Sequence, residues 1–354
     1  MKINEVQRLI EEKGLDAFLF SSPPNVFYLS GFRSTNAHIV LTPTSKHLLT
    51  DGRYYERANA TLKDWDVRLI KGKVVAEIKK FLRELGVVRV GYESDRTSCE
   101  LKKALRSTKI KWVGFGNFLR DIRAVKTERE IELMREGVRK SDEIYRELLE
   151  FVEPGKREIE LRGFIVSRIF EKGGMGESFP AIVASAEGSA VPHWESSNAP
   201  IKTGAPLLID MGLLWEGYCT DFTRTVFVGK PDEEFLKVYN VVRDAHLFAL
   251  EKVKEGNKLG EVDRAAREFI QRKRYGKFFT HTTGHGIGVE IHEHPRVYWK
   301  GEDATRVIEE GMVFTVEPGI YLPGKFGVRL ENIVVVRDGV GEPLSEIGLE
   351  LVSL

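Results

Sequence analysis

Scarcity of cysteine and balance of charge already exclude several kinds of protein. Cysteine occurs only at Cys99 and Cys219 in 354 residues, too few for a disulfide framework. We therefore expect a reducing, cytoplasmic setting. Neither charge sign is in excess, with 54 Lys and Arg against 53 Asp and Glu, so nothing in the overall charge suggests a nucleic-acid partner.

Long hydrophobic runs are missing as well. The first residues, MKINEVQRLIEEKG, are charged from the start and contain no apolar signal core. No later segment approaches the ~18 apolar residues that a membrane span requires. We expect a soluble, unprocessed protein with no membrane partner, and its length allows two domains.

Residues 1–122 alternate helical and strand-like segments, a pattern typical of an α/β layer domain. Ser21 to Pro24 has the composition of a turn. This part of the sequence has no cluster of histidines with carboxylates, so we interpret it as a scaffold or oligomerisation domain. The helical segments lie near 3–14, 52–60, 74–85 and 97–106, and the strand-like ones near 17–20, 25–30, 37–42, 47–50, 66–70 and 88–92.

Residues 123–354 form the predicted second domain, of α+β type. Thr127 and Glu130 have the spacing of a capping box and open a long helix that ends near Phe151. Two helices followed by an acidic hairpin occur in each half of this domain, which suggests an internal pseudo-twofold repeat. The other predicted helices cover residues 157–172, 232–255 and 259–274.

The first acidic hairpin is the stretch Leu208 to Thr225, LIDMGLLWEGYCTDFTRT. Apolar and β-branched residues predict two strands, and Gly217 suits a tight turn that needs a positive φ. The midpoint of Asp210 and Asp221 lies within that turn, so we expect the two carboxylates opposite each other or one bulge step apart. Like charges placed so closely between apolar strands need a proton or a cation between them.

A second hairpin repeats the pattern. MVFTVEPGIY and GVRLENIVVVR flank a turn-rich loop whose centre, residue 324, is the midpoint of Glu317 and Glu331. The two glutamates are therefore predicted to face each other in apolar surroundings. Four acids on two hairpins need about two divalent cations for neutrality, the charge count of a two-metal site.

His285 lies between the hairpins in the stretch HTTGHGIG. Glycines on both sides of it argue against a helix and indicate a close backbone approach. One nitrogen donor among four carboxylates suits Mn, Co, Fe or Zn better than Mg or Ca, without distinguishing among the first four metals.

These residues, in this order and with TGHGIG, VEPGIY and RLEN around the last three, resemble the dinuclear metallopeptidases of the pita-bread fold. That family includes methionine aminopeptidase, aminopeptidase P and prolidase, and the metal-free creatinases share its fold. The resemblance covers residues 123–354. It extends to a creatinase-type N-terminal domain through segments such as LLTDGRYYERA.

The resemblance implies roles for the matching positions. Two divalent ions would be bridged by Asp221 and Glu331, with Asp210 completing one ion and His285 with Glu317 the other. Glu317 would also move a proton to the leaving nitrogen. The substrate-contacting residues implied by the resemblance are His193, His292 and, as a wall residue, His281.

The residue at position 329, arginine in this chain, distinguishes the branches of the family. Methionine aminopeptidases usually carry Gln at the position two residues before the last glutamate, and this chain has Arg there and an extra domain before residue 123. The resemblance is therefore to the Xaa-Pro branch. Arg329 would hold either a substrate carboxylate or a ligating acid through its planar fork.

We accordingly expect a metallopeptidase of the aminopeptidase P type that releases the residue before proline from peptides. Prolidase, which cleaves Xaa-Pro dipeptides, is the alternative, and the sequence separates the two poorly. The resemblance also implies a homodimer formed through the first domain. A metal-free amidinohydrolase and a non-catalytic peptide-binding module both predict a broken set of acids, and the set is intact.

Overall fold

The computed structural model describes residues 2–106 and 109–354. The chain divides into two compact units, Met1–Ile122 and Arg123–Leu354. Within the described ranges, no helix is both long and apolar enough to cross a membrane.

The first unit is built on one mixed six-stranded sheet with the strand order β4-β3-β2-β1-β5-β6. Neighbouring strands pair antiparallel across β1, β2 and β3 and parallel elsewhere. Its elements are α1 (Ile3–Glu12), β1 (Ala17–Phe20), α2 (Pro23–Ser30), β2 (Ala37–Leu41), β3 (Lys46–Thr50), α3 (Gly52–Thr61), β4 (Asp66–Leu69), α4 (Val74–Glu84), β5 (Arg89–Glu93), α5 (Cys99–Leu105), β6 (Lys111–Phe115) and α6 (Arg120–Ala124), the last of which continues into the second unit.

One element of this unit differs from the prediction. Residues 25–30 form part of helix α2, whereas a strand after a turn was expected. Pro23 and Pro24 occupy the first helical positions, where a missing N–H costs nothing, and Gly31 ends the helix with a φ of 69°. The buried Glu93 carboxylate accepts hydrogen bonds from the Ser21 and Ser22 N–H groups at the start of the helix.

The second unit contains four long α-helices and most of the strands. The capping box of Thr127 and Glu130 begins the first helix as predicted. The elements are α7 (Glu128–Phe151), α8 (Glu158–Glu171), β7 (Ile182–Ser185), β8 (Ala205–Met211), β9 (Leu214–Trp215), β10 (Tyr218–Cys219), β11 (Phe222–Val228), α9 (Glu233–Leu250), α10 (Leu259–Arg272), β12 (Gly284–Gly286), β13 (Glu293–Val297), β14 (Val313–Val316), β15 (Gly319–Leu322), β16 (Phe326–Arg329), β17 (Asn332–Arg337) and β18 (Val340–Pro343).

The pseudo-twofold repeat predicted for this unit is present in its architecture. Two helices, α7 and α8, precede a sheet ordered β11-β8-β7, and α9 and α10 precede a sheet in which β14 lies between β12 and β17. Each half has its own apolar cluster. One cluster joins α7 and α8 to β7, β8 and β11, and the other joins α9 and α10 to the strands of the second sheet. The two acidic hairpins therefore stand at equivalent places on rigid sheets.

Close packing requires glycine at both ends of β12. A Cβ atom at Gly284 would lie 1.8 Å from the Thr315 carbonyl oxygen on β14. A Cβ atom at Gly286 would lie 2.2 Å from the His294 carbonyl oxygen. The close backbone approach expected around His285 is thus confirmed, and it fixes that histidine between two strands.

We predict that Gly284→Ala lowers the free energy of unfolding by about 1–3 kcal/mol, because the new methyl group must push β12 away from β14. Denaturant unfolding of the purified variant measures this. Gly163→Ala is the matched control: Gly163 lies exposed inside α8 with open space around its Cα, so alanine should stabilise the protein by about 1 kcal/mol. Equal effects in the two variants would contradict the packing explanation.

Candidate metal centre

The first acidic hairpin has a different register from the predicted one. Asp210 pairs with Thr223, so Asp221 is neither directly opposite it nor one bulge step away. The reason is the turn: Glu216 and Gly217 both have positive φ, 46° and 95°, as a two-residue hairpin turn requires. The turn centre therefore lies one residue beyond the midpoint of the aspartates. Because side chains alternate along a strand, Asp221 still shares a face with Thr223 and is a diagonal neighbour of Asp210.

The second acidic hairpin has the predicted register. Val316 pairs with Asn332 and Gly319 pairs with Arg329, so Glu317 and Glu331 lie across from each other between these two pairs. Glu331 also donates its backbone N–H to the Thr223 carbonyl oxygen at 3.1 Å, which joins the two hairpins at the site.

His285 points its ring at the acidic side chains. Its Nδ1 lies 3.0 Å from the Gly286 carbonyl oxygen, which can only accept, so Nδ1 carries the proton. The lone pair of Nε2 then faces Asp221 Oδ2 and Glu317 Oε1, each 3.5 Å away. This is the tautomer that a metal-ligating histidine adopts when its other nitrogen is held by a carbonyl group.

The donor atoms fit a metal ion. Asp221, His285 and Glu331 each offer one ligand atom, and these atoms lie within 4.8 Å of one another. Among the described residues, Asp210 Oδ1 and Glu331 Oε1 are buried acceptors that receive no hydrogen bond. Buried unpaired acceptors are costly, and a cation satisfies them.

Burial and repulsion between neighbouring carboxylates raise the pKa values of the acids in the cluster. Burial, and then the neighbouring Asp210 and Glu317, raise the pKa of Asp221 well above its usual range. Burial, followed by Asp221, Glu317 and Asp210, does the same to the pKa of Glu331. The pKa of Asp210 is also raised by burial, although Arg329 opposes the increase. Without a cation, these groups hold protons that ordinary carboxyls would release.

Arg329 is buried beside Asp210 and makes several bonds with protein groups. Its Nη2 donates to Asp210 Oδ2, its Nε donates to Thr223 Oγ1 at 3.2 Å and its Nη1 donates to the Tyr321 hydroxyl at 2.7 Å. Only 4% of Arg329 is exposed. Of the two roles expected for this side chain, this position favours holding a ligating acid over contact with a substrate carboxylate.

With all four carboxylates ionised, as metal ligands are, the cluster including the Arg329 guanidinium has a net charge of −3. One divalent ion would reduce this charge to −1, and two would convert it to +1. The charge count therefore leaves room for two ions, provided that a further anion joins them.

His281 joins the site through a chain of hydrogen bonds. Its Nδ1 lies 2.7 Å from the Thr282 carbonyl oxygen and its Nε2 lies 2.9 Å from the Tyr321 hydroxyl. Burial lowers the pKa of His281 and raises that of Tyr321 to about 12, so both are neutral near pH 7. Both ring nitrogens of His281 are engaged by protein groups, which suits a wall residue.

The remaining two predicted histidines are exposed beside the cluster. The ring of His292 lies 4.3 Å from that of His285, centroid to centroid. Burial, then His285, lowers the pKa of His292, and His193 contributes in the same direction, so the three imidazoles are close in space. The loop of His193 is held by its neighbour Pro192, whose carbonyl oxygen accepts from Arg329 Nη1 at 3.3 Å.

Three residues of the site were not singled out from the sequence. Thr223 donates to Glu331 Oε2 at 2.6 Å, and the alternation from Asp221 would have found it. Tyr321 lies diagonally across the hairpin from Arg329, so the same alternation rule applies to it. Arg296 is the cross-strand partner of His285 and is exposed. No sequence signal predicts Arg296, because the register depends on a bulge between His285 and Gly286.

Comparison with known proteins identifies similar chains over nearly the whole length. Residues 132–338 match the model of metallopeptidase family M24, and residues 2–125 match that of the creatinase/prolidase N-terminal domain. An Xaa-Pro dipeptidase of Pyrococcus horikoshii is 33% identical over 99% of this chain and 98% of its own. Among solved structures, an Xaa-Pro dipeptidase from Bacillus anthracis has a TM-score of 0.95 at 32% identity, covering 100% of this chain and 99% of its own. An X-Pro aminopeptidase from Thermotoga maritima has a TM-score of 0.90 at 33% identity, covering 99% and 100%.

The raised carboxyl pKa values predict how metal-dependent stability changes with pH. Unfolded carboxyls titrate near pH 4, whereas folded Asp221 and Glu331 titrate higher. Between those pKa values the folded state binds more protons, so the metal-free protein loses stability as pH rises. A divalent ion replaces the protons, and we expect Mn²⁺ or Co²⁺ to raise Tm more at about pH 7.5 than at about pH 5.5.

Thermal unfolding of chelator-treated and metal-loaded protein measures this difference. Asp142→Asn is the control, because Asp142 is a buried aspartate that accepts from Ser345 Oγ and the Glu346 N–H and lies outside the cluster. The variant should retain the pH-dependent gain in Tm. A gain that is equal at both pH values, or larger in acid, would contradict the assignment.

Proposed function

The chain belongs to metallopeptidase family M24, and on this premise we propose that it hydrolyses Xaa-Pro peptide bonds with two divalent metal ions. The observation that carries the proposal is the convergence of Asp221, His285 and Glu331 beside two buried acceptors without partners. The relatives named above act on Xaa-Pro substrates, and the Arg329 position fits that branch. The M24 domain follows a creatinase/prolidase N-terminal domain. We propose a boundary between residues 122 and 123, which the division of the chain into two compact units supports.

Five side chains would hold the ions: Asp210, Asp221, His285, Glu317 and Glu331. Nitrogen among the carboxylate donors favours Mn, Co, Zn or Fe over an all-oxygen ion such as Mg. When bound, such ions supply Lewis-acid activation of a water molecule and of the scissile carbonyl group.

Side chains of the protein then transfer the proton and position the substrate. The attacking water must lose a proton and the leaving proline nitrogen must gain one, and we assign Glu317 to carry the proton from the first to the second. Its Oε1 faces the His285 ring and lies 3.3 Å from Thr315 Oγ1. His292 is neutral near pH 7 because its pKa is lowered, so one ring N–H can donate to the substrate carbonyl. His193 is proposed to contact the substrate beside it. Arg329 holds Asp210 in place and opposes the increase in its pKa that burial causes.

Two candidate substrate sizes follow from the sequence, and specific observations favour the smaller one. The sequence resemblance favours an aminopeptidase P type activity, with an Xaa-Pro dipeptidase as the alternative. Several of the similar proteins are named Xaa-Pro dipeptidase. In addition, the exposed Arg296 is the cross-strand partner of His285, and its charge acts on His292. A cation at this position suits the free carboxylate of a dipeptide, so we propose Xaa-Pro dipeptides as the preferred substrates.

Loss of a bridging carboxylate should remove metal and activity together. We predict that Asp221→Asn and Glu331→Gln bind less metal and lose more than about 100-fold in kcat, because each replaces an anionic ligand by a neutral amide. Elemental analysis of dialysed protein and a peptidase assay measure the two quantities. His292→Ala should lose rate and keep its metal. Full metal content in Asp221→Asn would exclude this residue as a ligand.

Substrate size is tested with Ala-Pro, Ala-Pro-Ala and the variant Arg296→Gln. We expect the wild-type protein to cleave Ala-Pro faster. The variant should lose about 10- to 100-fold in kcat/KM for Ala-Pro, since a charged hydrogen bond contributes about 1.5–3 kcal/mol. Cleavage of Ala-Pro-Ala, whose proline carries no free carboxylate, should change little. If the wild-type protein cleaves Ala-Pro-Ala faster than Ala-Pro, and Arg296→Gln leaves kcat/KM for Ala-Pro unchanged, the aminopeptidase activity is established instead.

Two expectations from the sequence extend the proposal. We propose a homodimer in the cytoplasm, supported by the family resemblance of the first domain and by two cysteines that form no disulfide bond with each other. The proposed partners are proline-containing peptides, with no nucleic acid or membrane involved.

A further inference from the structure

The loop that carries His292 has no regular secondary structure of its own. It runs from Ile287 to His292 between strands β12 and β13. Two backbone hydrogen bonds involve Gly288: the Cys219 N–H donates to the Gly288 carbonyl oxygen at 2.7 Å, and the Gly288 N–H donates to that of Glu290 at 3.1 Å. A catalytic side chain on such a segment needs another source of order.

Glu293, the residue after His292, supplies the anchor. Its side chain is 4% exposed, and its Oε1 accepts the Glu290 N–H at 2.9 Å, which closes the loop on itself. Gly288 makes room for this carboxylate, because a Cβ atom there would lie 2.8 Å from Glu293 Oε1. The carboxylate therefore lies directly against the loop backbone.

Cations from the beginning of the second unit neutralise this anchor. Arg123 is 7% exposed, and its Nη2 contacts Glu293 Oε1 and lies 2.9 Å from Glu290 Oε2. Lys126 Nζ lies 3.8 Å from Glu293 Oε2. Lys126 is itself fixed to the sheet, because its backbone N–H donates to the Gly311 carbonyl oxygen at 2.7 Å. One guanidinium thus ties both ends of the 290–293 segment to the framework of the unit.

We propose that Arg123 is a positioning residue for the peptidase reaction: through Glu290 and Glu293 it holds the loop so that the His292 ring stays against His285. The proposal rests on the function proposed above, in which His292 contacts the substrate. Arg123 contacts Glu290 and Glu293 within the loop segment, and through these contacts it influences the reaction. Removing the Arg123 guanidinium takes one ion pair from Glu290 and leaves the buried Glu293 with weaker charge compensation.

The experiment combines kinetics with amide hydrogen exchange on the full-length, metal-loaded protein. In Arg123→Gln we expect kcat/KM for Ala-Pro to fall about 10- to 100-fold, the scale of a misplaced contact residue, with the metal content unchanged. Exchange in the peptide spanning residues 286–293 should become faster. In the His292→Ala background the same substitution should cost no more than about twofold, because two residues that act as one unit are not additive.

Matched variants separate positioning from a general loss of structure. Arg162→Gln removes another partly buried guanidinium, which pairs with Glu177 at 3.0 Å away from the loop. It should change neither kcat/KM nor exchange at 286–293. If Arg123→Gln does not fold, Glu290→Gln serves instead, since its side chain is 22% exposed and the contact between Arg123 and Glu293 remains. As in Arg123→Gln, kcat/KM should fall and exchange at 286–293 should become faster, each by a smaller factor.

The outcomes are distinct. The proposal is overturned by unchanged exchange at 286–293, or by a loss of rate in the His292→Ala background as large as that in the wild type. A wild-type protein that cleaves no Xaa-Pro peptide would refute the proposed function, and the exchange measurement would still decide whether Arg123 orders the loop.

Discussion

Repulsion among buried carboxylates is the constraint on which the second unit depends. Asp221 and Glu331 are both at least nine-tenths shielded from solvent. Burial and the neighbouring carboxylates raise the pKa of each, Asp210 and Glu317 acting on Asp221, and Asp221, Glu317 and Asp210 acting on Glu331. Ions of this kind are expensive to bury without compensation. Arg329 supplies one positive charge, and the rest must come from protons or from cations bound at the site. Binding of cations therefore explains how the fold can bury several acids next to one another.

Rigid backbone keeps these acids together in spite of their repulsion. Arg224 is almost completely buried and donates to the carbonyl oxygens of Thr223 and Glu331, one from each hairpin. Its Nη2 also donates to Asn332 Oδ1 at 2.8 Å. The two halves of the pseudo-repeat are thus fastened to each other directly beneath the ligands. Side-chain bonds from Thr223 then orient Glu331, while Arg329 orients Asp210, which leaves the remaining lone pairs free for metal.

The sequence predicted the elements that carry chemistry better than it predicted their exact pairing. Strand alternation and turn chemistry located both hairpins, and the register that sets Glu317 against Glu331 is correct. The register predicted for Asp210 is wrong, because the two positive-φ residues place the turn centre one position beyond the midpoint of the aspartates. Helix α2 was missed because a Pro-Pro pair signals a turn as readily as a helix start. Arg123 could not be predicted to act near His292, because its partners lie far along the chain.

The most direct test of this account is an anomalous-scattering map from crystals grown with Mn²⁺ or Co²⁺. We predict metal density between Asp221, His285 and Glu331, with ligand distances of about 2.0–2.3 Å, and a second ion on the side of Asp210. A well-ordered map that shows the five side chains in place and no anomalous density among them would contradict the central claim that a pair of cations balances these acids.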